Sequence, residues 1–377
     1  MIPLKTDCRH FRGDVPCKPH KLHGVHCVDD KGIDCPYYDS VDKRIFIIKL
    51  GAIGDVIRTT PLLHKLREVH PRAKIYWLTH TAEIVPSIVD EVMDFSLKNI
   101  VALRSIHFDI LYNLDKDREA CALASQISAS EKRGFILKDG RIAPADAAAE
   151  EKYLTGIFDD LNKANTKSYP EELFEICGFT FGGEKYILDS FDSQGYTWKI
   201  SKKKRVVGLN TGCGGRWTSR LWSDRNWLSL AKGLKRKGFE VVLLGGEQEH
   251  KKNQKLAKAA GVKYFGHFPL AQFINLIARC DLVVTSVTMA MHITIGLGKK
   301  IVLFNNIFNK HEFELYGLGQ ILEPELPCHC FFLPVCKNPE YQCMDHLKPE
   351  RVIQTCVKLL VPKGWIPTRS SLSVSPN

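Results

Sequence analysis

The apolar positions of this chain fall into short continuous runs separated by stretches of helical spacing, and the alternation begins abruptly at residue 44. Arg44-Ile45-Phe46-Ile47-Ile48-Lys49-Leu50 is a β-branched and aromatic run of the kind that forms a buried parallel strand. It stops at the turn Gly51-Ala52-Ile53-Gly54-Asp55, after which Val56, Ile57, Leu62, Leu63 and Leu66 recur at helical spacing. Residues 74–79 and 108–114 predict further strands, the second ending in Asp115-Lys116-Asp117, and an acidic helical segment is predicted over 153–161. Periodicity fades over 189–201, where the basic run 199–205 places an interdomain linker near residue 200. A second series follows, with strands predicted at 206–210, 240–244, 281–285 and 300–304 and helices at 227–237 and 270–279. Strands alternating with helices predict parallel sheets, and two such series predict an α/β chain of two doubly wound domains. The expected divisions are 1–40, 41–200, 201–345, a last helix within 346–362, and a disordered polar tail at 363–377.

Ligands of doubly wound sheets bind outside the carboxyl ends of the strands, which directs attention to the turns there. Gly54 and Asp55 occupy the first, and its lone carboxylate is open between a general base and a helix cap. Asn113 and Asp115 end another strand and are expected to face the same crevice; turn chemistry alone is the other reading. In the second half, Asn210-Thr211-Gly212-Cys213-Gly214-Gly215-Arg216-Trp217-Thr218-Ser219-Arg220 is a glycine-rich loop carrying Arg216 and Arg220, groups suited to phosphate oxygens. Glu249 closes the next strand turn. Thr288 and Met289 then stand where a strand end meets a helix start, a ready anion site. His292 is open between a ligand contact and a buried core histidine.

The stretch GAIGDVIRTTP after an N-terminal strand resembles the bacterial lipopolysaccharide heptosyltransferases, glycosyltransferase family 9. The resemblance runs from about residue 44 to 357 and recurs at FDILYNLDKD, at the loop ending in Arg220-Leu221-Trp222, at Thr288…His292 and at a cysteine cluster before the last helix. It implies a GT-B fold, two Rossmann-like domains facing a central cleft, whose final helix crosses back to the first lobe. It also implies inverting transfer, without a catalytic cofactor, from a nucleotide-diphosphate sugar such as ADP-heptose to a lipid-linked or glycan acceptor of the lipopolysaccharide core kind. Asp55 matches the family's proposed base, Arg220 the place of a lysine on the donor phosphates, and Glu249 a glutamate on the ribose. Val287 stands where the family has an aspartate on the donor sugar, and valine cannot accept a hydroxyl hydrogen bond, so the sugar stays open.

Composition narrows this further. The 377 residues are 44% hydrophobic, with no apolar run long enough to span a bilayer and no secretory core at the start, which predicts a cytoplasmic protein. A net charge of +11 calls for an anionic partner, and the basic run near residue 200 is either a solvated face or a contact with the anionic inner membrane surface. Thirteen cysteines are many for such a compartment. Cys8, Cys17, Cys27 and Cys35 lie among histidines in a segment too poor in aliphatics to hold a core, and Cys328, Cys330, Cys336 and Cys343 form a closer group. Each set is open between free thiols and a structural zinc or iron–sulfur site. Two other functions compete with transfer. One is a nucleotide-sugar-binding protein that has lost activity, with Val287 as its mark; the other is a nucleic-acid module on the N-terminal cysteines. The latter lacks finger spacing and stacking aromatics, so no nucleic acid is expected.

Overall fold

The computed structural model describes residues 3–189, 196–201 and 203–361, so the predicted tail at 363–377 lies outside the described residues. The chain divides into two units, residues 1–189 with His311–Glu314, and residues 190–310 with 315–377.

The first unit is built on a six-stranded sheet. Its strands are β1 (Arg44–Ile48), β2 (Lys74–Leu78), β3 (Glu91–Met93), β4 (His107–Asn113), β5 (Ser128–Lys138) and β6 (Arg141–Pro144), in the order β3-β2-β1-β4-β5-β6. All neighbours are parallel except β5 and β6. β1 sits in the middle and is apolar on both faces, and Phe46, Ile48 and Leu50 join Leu78, Phe108 and Leu111 in one core cluster. The predicted first helix is two helices, Ile53–Thr59 and Leu62–Val69, because Pro61 lacks an N–H to continue the ladder and caps the second. The predicted acidic helix is likewise two, Glu150–Thr155 and Asp159–Ala164.

β5 and β6 form a hairpin that hydrophobic periodicity misses, since the first half of β5 is polar. The Asp139-Gly140 turn, with φ of 49° and 74°, is the signal that finds it. The N-terminal segment has one short helix, Lys18–His23, and docks through Arg9. That guanidinium pairs with Asp39 and Asp90 and donates to the carbonyls of Arg72 and Ala73, just before β2.

The second unit carries β7 (Val206–Asn210), β8 (Glu240–Leu244), β9 (Leu282–Ser286), β10 (Lys300–Phe304) and β11 (Gly319–Leu322), all parallel, in the order β11-β10-β9-β7-β8. Val207, Leu209, Val241, Leu243, Val284 and Val302 face a core closed by Trp222 and Trp227. The final helix, Pro349–Leu360, packs on this unit. Its Val352 and Cys356 enter the core, and Ile353 lies so near the helix Asp224–Arg236 that a Cβ on Gly233 would stand 2.2 Å from it. Two units of doubly wound type make this a GT-B architecture.

Both sheets reverse direction beside their first strand. In the first unit the chain builds outward through β2 and β3, then returns to the other side of β1 as β4; in the second, β8 lies on one side of β7 and β9 on the other. Such a reversal opens a crevice at the carboxyl ends of the two strands concerned. Those ends are Lys49–Gly51 with Leu114–Asp115, and Asn210–Thr211 with Val287–Thr288.

Candidate active site

In the first unit, Asp55 is the third residue of the helix Ile53–Thr59, and both of its oxygens are engaged. Oδ2 accepts from the Ala52 N–H at 3.1 Å, and Oδ1 pairs with Arg58 Nη2 at 2.8 Å. Cap and charged group are thus one residue. Each carboxylate oxygen offers two lone-pair sites, so a further donor can still be accepted, and the side chain remains 31% exposed. Arg58 is held in turn by Glu312 at 2.9 Å and by the face of Tyr169, whose ring centre is 3.5 Å from the guanidinium carbon. Burial works against its charge, but Asp55 and Glu312 more than offset this and raise its pKa.

Asn113 and Asp115 do not present themselves to a crevice as expected. Asn113 is 0% exposed and donates to the Phe135 carbonyl at 2.7 Å, while its Oδ1 accepts from the Asp115 N–H. Asp115 Oδ2 accepts from the N–H groups of Leu50 and Gly51 and lies 3.6 Å from Lys49 Nζ. Asp115 thus fastens the end of β4 to the end of β1 beside the Asp55 turn, while Asn113 ties the same strand end to β5. Gly54 is buried inside that turn. Gly134 makes the fastening possible: at φ 92° it runs so close to Asn113 that a Cβ would lie 1.9 Å from the Asn113 carbonyl oxygen.

Periodicity and turns did not reveal the charges beneath the turn. Lys49 is fully buried; burial opposes its charge, but Tyr169, Asp55 and Asp115 raise its pKa. Lys116 has no carboxylate within ion-pair distance among the described residues and donates to the Lys152 carbonyl at 3.2 Å. Burial, followed by the nearby Lys152 ammonium, pushes its pKa down to about 8. Lys152 itself pairs with the buried Glu172 at 2.5 Å. These contacts join residues far apart in sequence, so no local signal points to them.

In the second unit the glycine-rich loop leads into the turn Thr218–Arg220, and Arg220 is 7% exposed. Its Nη2 donates to the Cys213 carbonyl at 3.2 Å and its Nη1 to the Val287 carbonyl, while Nε has no partner. Among the described residues no carboxylate pairs with it, and burial lowers its pKa. A buried charge without a counter-ion costs several kcal/mol, which an anionic ligand would offset.

The anchor on Val287 places Arg220 next to the start of the helix Met289–Gly296. Thr288 is its N-cap residue, yet the hydroxyl makes no capping bond. It lies instead 3.2 Å from Asn210 Nδ2 and 3.1 Å from Thr285 Oγ1, leaving the first amides of the helix, Met289 among them, without a side-chain cap. An uncapped helix start and a buried guanidinium side by side are both complementary to negative charge.

Glu249 lies across the same loop. Its Oε2 accepts from the Gly246 N–H at 3.0 Å, and a Cβ on Gly212 would stand 2.0 Å from its Oε1, so only glycine allows this approach. Lys252, one helical turn on, donates to the Thr211 carbonyl at 2.9 Å; its spacing from Glu249 is the signal that would have found it. Cys213, whose thiol is pushed up by burial, lies within electrostatic reach of Arg220, Glu249 and Lys252. Arg216 is on the exposed part of the loop, over the Trp217 ring. His292 is 6% exposed, inside the core.

The cysteines of 328–343 stand behind this loop. Cys330 and Cys336 sulfurs are 3.6 Å apart, and Asn306 Nδ2 donates to Cys343 Sγ at 3.4 Å and reaches Cys328 Sγ at 3.8 Å. Cys328 and Cys343 share a hydrogen bond that brings Cys343 down to about 6 and raises Cys328. The same Asn306 amide donates to the Ser219 carbonyl at 2.9 Å, and Ser219 Oγ donates to the Leu333 carbonyl at 2.6 Å, so this cluster buttresses the turn that carries Arg220. Among the described residues, no three Cys, His, Asp or Glu side chains converge on a single-ion point, here or at the N-terminus.

Residues 97–311, more than half of the chain, match the family model described as glycosyltransferase family 9 (heptosyltransferase). The chain belongs to glycosyltransferase family 9. The matched segment contains Arg220, Glu249 and Thr288 and begins after the Asp55 turn. Among curated proteins, this family 9 chain is similar to lipopolysaccharide heptosyltransferase 2 of Salmonella typhimurium, 25% identical over 291 residues that cover 69% of this chain and 81% of that protein. Among solved structures it resembles the glycosyl transferase family 9 of Veillonella parvula, with TM-score 0.63 and 20% identity over 85% of this chain and 97% of the other. It also resembles the E. coli ADP-heptose lipopolysaccharide heptosyltransferase II, with TM-score 0.60 and 18% identity over 84% and 98%. The protein is a glycosyltransferase of the heptosyltransferase-like family. No helix among the described residues is long and apolar enough to cross a membrane.

Proposed function

We propose that the protein moves a sugar, a heptose or a relative of it, from a nucleotide-diphosphate donor to a hydroxyl of a cell-envelope glycan, with inversion at the anomeric carbon. The observation that carries this is Arg220, a buried guanidinium without a carboxylate, set beside the uncapped start of the helix Met289–Gly296. A diphosphate supplies the missing negative charge. Glu249 takes the ribose hydroxyls, held against the loop where Gly212 has no Cβ to exclude its carboxylate. ADP-heptose, named for the E. coli structural relative, is the donor we favour.

In this reading Asp55 is the base. The acceptor oxygen attacks the anomeric carbon from the face opposite the nucleotide as its proton passes to the Asp55 carboxylate. The bond from that carbon to the diphosphate oxygen breaks, and the electron pair leaves with the diphosphate, where Arg220 and the helix amides offset the charge. Arg58 does not touch the reacting atoms; it positions the carboxylate. The Cys328–Cys343 cluster serves the structure of the donor loop. Lys203 and Lys204, with the rest of the basic stretch, are attracted to the anionic leaflet in which a lipid-linked acceptor sits.

Incubation with ADP-, GDP- and UDP-sugars tests the donor assignment. A donor held at 100 times its dissociation constant raises stability by about 2.7 kcal/mol. No shift with any of the three refutes a nucleotide-sugar site. Binding without transfer to lipopolysaccharide-core acceptors would favour the lost-activity reading.

A further inference from the structure

The N-terminal segment holds a second set of cysteines for which sugar transfer has no use. Cys8, Cys17, Cys27 and Cys35 are spread over the segment, yet all four line one cavity of about 410 Å³. All are free thiols and all are half-buried. The cavity is more than ten times the roughly 30 Å³ share of one water, and its other walls include Phe11, Val25 and Tyr37.

The backbone fixes the thiols without help from a core. The Cys35 N–H donates to the Cys27 carbonyl at 2.9 Å, the Phe11 N–H to the Cys8 carbonyl at 2.9 Å, and Cys8 bridges to Ser40. The Tyr37 N–H donates to Cys35 Sγ at 3.4 Å, the amide-to-sulfur bond that tunes a metal-bound thiolate. His20 Nδ1 is engaged by the Val25 carbonyl at 3.0 Å, which leaves Nε2 as a lone-pair nitrogen on a residue of the same cavity. A segment of this size with one six-residue helix needs a staple to stay folded.

A zinc ion would draw four sulfurs to about 2.3 Å from a single point. The four cysteines line a chamber instead, and among the described residues no three ligating side chains converge on one point. A polynuclear cluster has the other geometry, each cysteine on its own iron with sulfide filling the middle. We propose that Cys8, Cys17, Cys27 and Cys35 bind an iron–sulfur cluster of the four-iron, four-sulfide class. Loading is a ligand exchange: a cluster carried on small thiolates swaps each for a cysteine thiol, whose proton leaves with the departing thiolate. No oxidant or reductant is consumed.

The location separates this site from transfer. Arg9 ties the segment to carbonyls just before β2, at the amino end of the sheet, whereas the Asp55 turn lies at the carboxyl end. The cluster is therefore a staple of the first unit.

The test uses the full chain, purified without oxygen and exchanged with a preformed thiolate-ligated cluster. About four iron and four acid-labile sulfide per chain are expected. They should fall to background in Cys17→Ser/Cys27→Ser and persist in Cys328→Ser/Cys343→Ser. Because the first variant can lose metal simply by misfolding, alkylation of the loaded wild type is mapped by peptide mass; the four N-terminal cysteines should be protected. Zinc in place of iron, absence of uptake, uptake that survives Cys17→Ser/Cys27→Ser, or free alkylation of the four thiols in loaded protein each overturn the proposal.

Discussion

Replacing Arg220 by methionine sets two effects of opposite sign against each other. The substitution removes a charge that is 7% exposed and unpaired, which relieves several kcal/mol of desolvation. It also deprives the Cys213 and Val287 carbonyls of their donor, at about 1–3 kcal/mol each. The two nearly cancel, so the ligand-free variant should stay within about 2 kcal/mol of wild type. Binding has no such compensation. Charge-assisted bonds to a diphosphate are worth about 1.5–3 kcal/mol each, so affinity should fall about a hundredfold. Calorimetric titration with the nucleoside diphosphate that stabilises the wild type, and with its parent nucleoside, separates the effects. Only the diphosphate should weaken, and Arg220→Lys should recover part of the loss by restoring the charge. Equal weakening of both ligands, or a large drop in melting temperature without ligand, would show that Arg220 is a structural residue and that the anion-site argument is wrong.

Three further outcomes are expected. Asp55→Asn should keep the bond to the Ala52 N–H, and with it the fold and donor affinity, while transfer falls about a hundredfold or more; near-normal turnover in a folded variant would remove Asp55 as the base. Lys116→Met should stabilise the protein at pH 7, by at most about 3 kcal/mol, since a lysine lowered from 10.5 to about 8 resists its charge in the folded state. The sign is fixed by linkage: between about pH 8 and 10.5 the unfolded chain binds more protons, wild-type stability rises, and the variant's advantage shrinks across that window in denaturation curves at several pH values. Asn306→Ala should loosen the Ser219 turn and weaken diphosphate binding several-fold, with Asp55 chemistry untouched, as read from the donor KM against kcat at saturating donor.

Much of the framework was legible in the chain because parallel strands buried on both faces must be continuously apolar. β7, β8 and β10 have the predicted bounds, and β1, β2, β4 and β9 shift at their ends by a residue or two. β3 and β11 are too short, and β5 too polar, to announce themselves that way. In the candidate site, the residues read from turns are present in their turns, but a turn does not say which way a polar group is spent. Asn113 and Asp115 are spent inward on backbone amides and carbonyls, and Thr288 on Asn210 and Thr285 rather than on its own helix. Lys49, Glu312 and Tyr169 act across tens to hundreds of positions, which no window of sequence reports.

The Arg58–Glu312 pair has a consequence for how this enzyme can be divided and inherited. The first unit is not a contiguous stretch of gene: it ends at Asp189 and then reclaims His311–Glu314 from far downstream. A fragment stopping at residue 189 would keep Asp55 and Arg58 but lose the second carboxylate that neutralises that buried guanidinium, so Asp55 alone would have to do so. Recombination at the apparent boundary would likewise carry Glu312 along with a new donor half. A chimera that exchanges the downstream half thus also exchanges a support of Asp55, the base proposed above, and keeps that support only when the incoming half brings a carboxylate to that position.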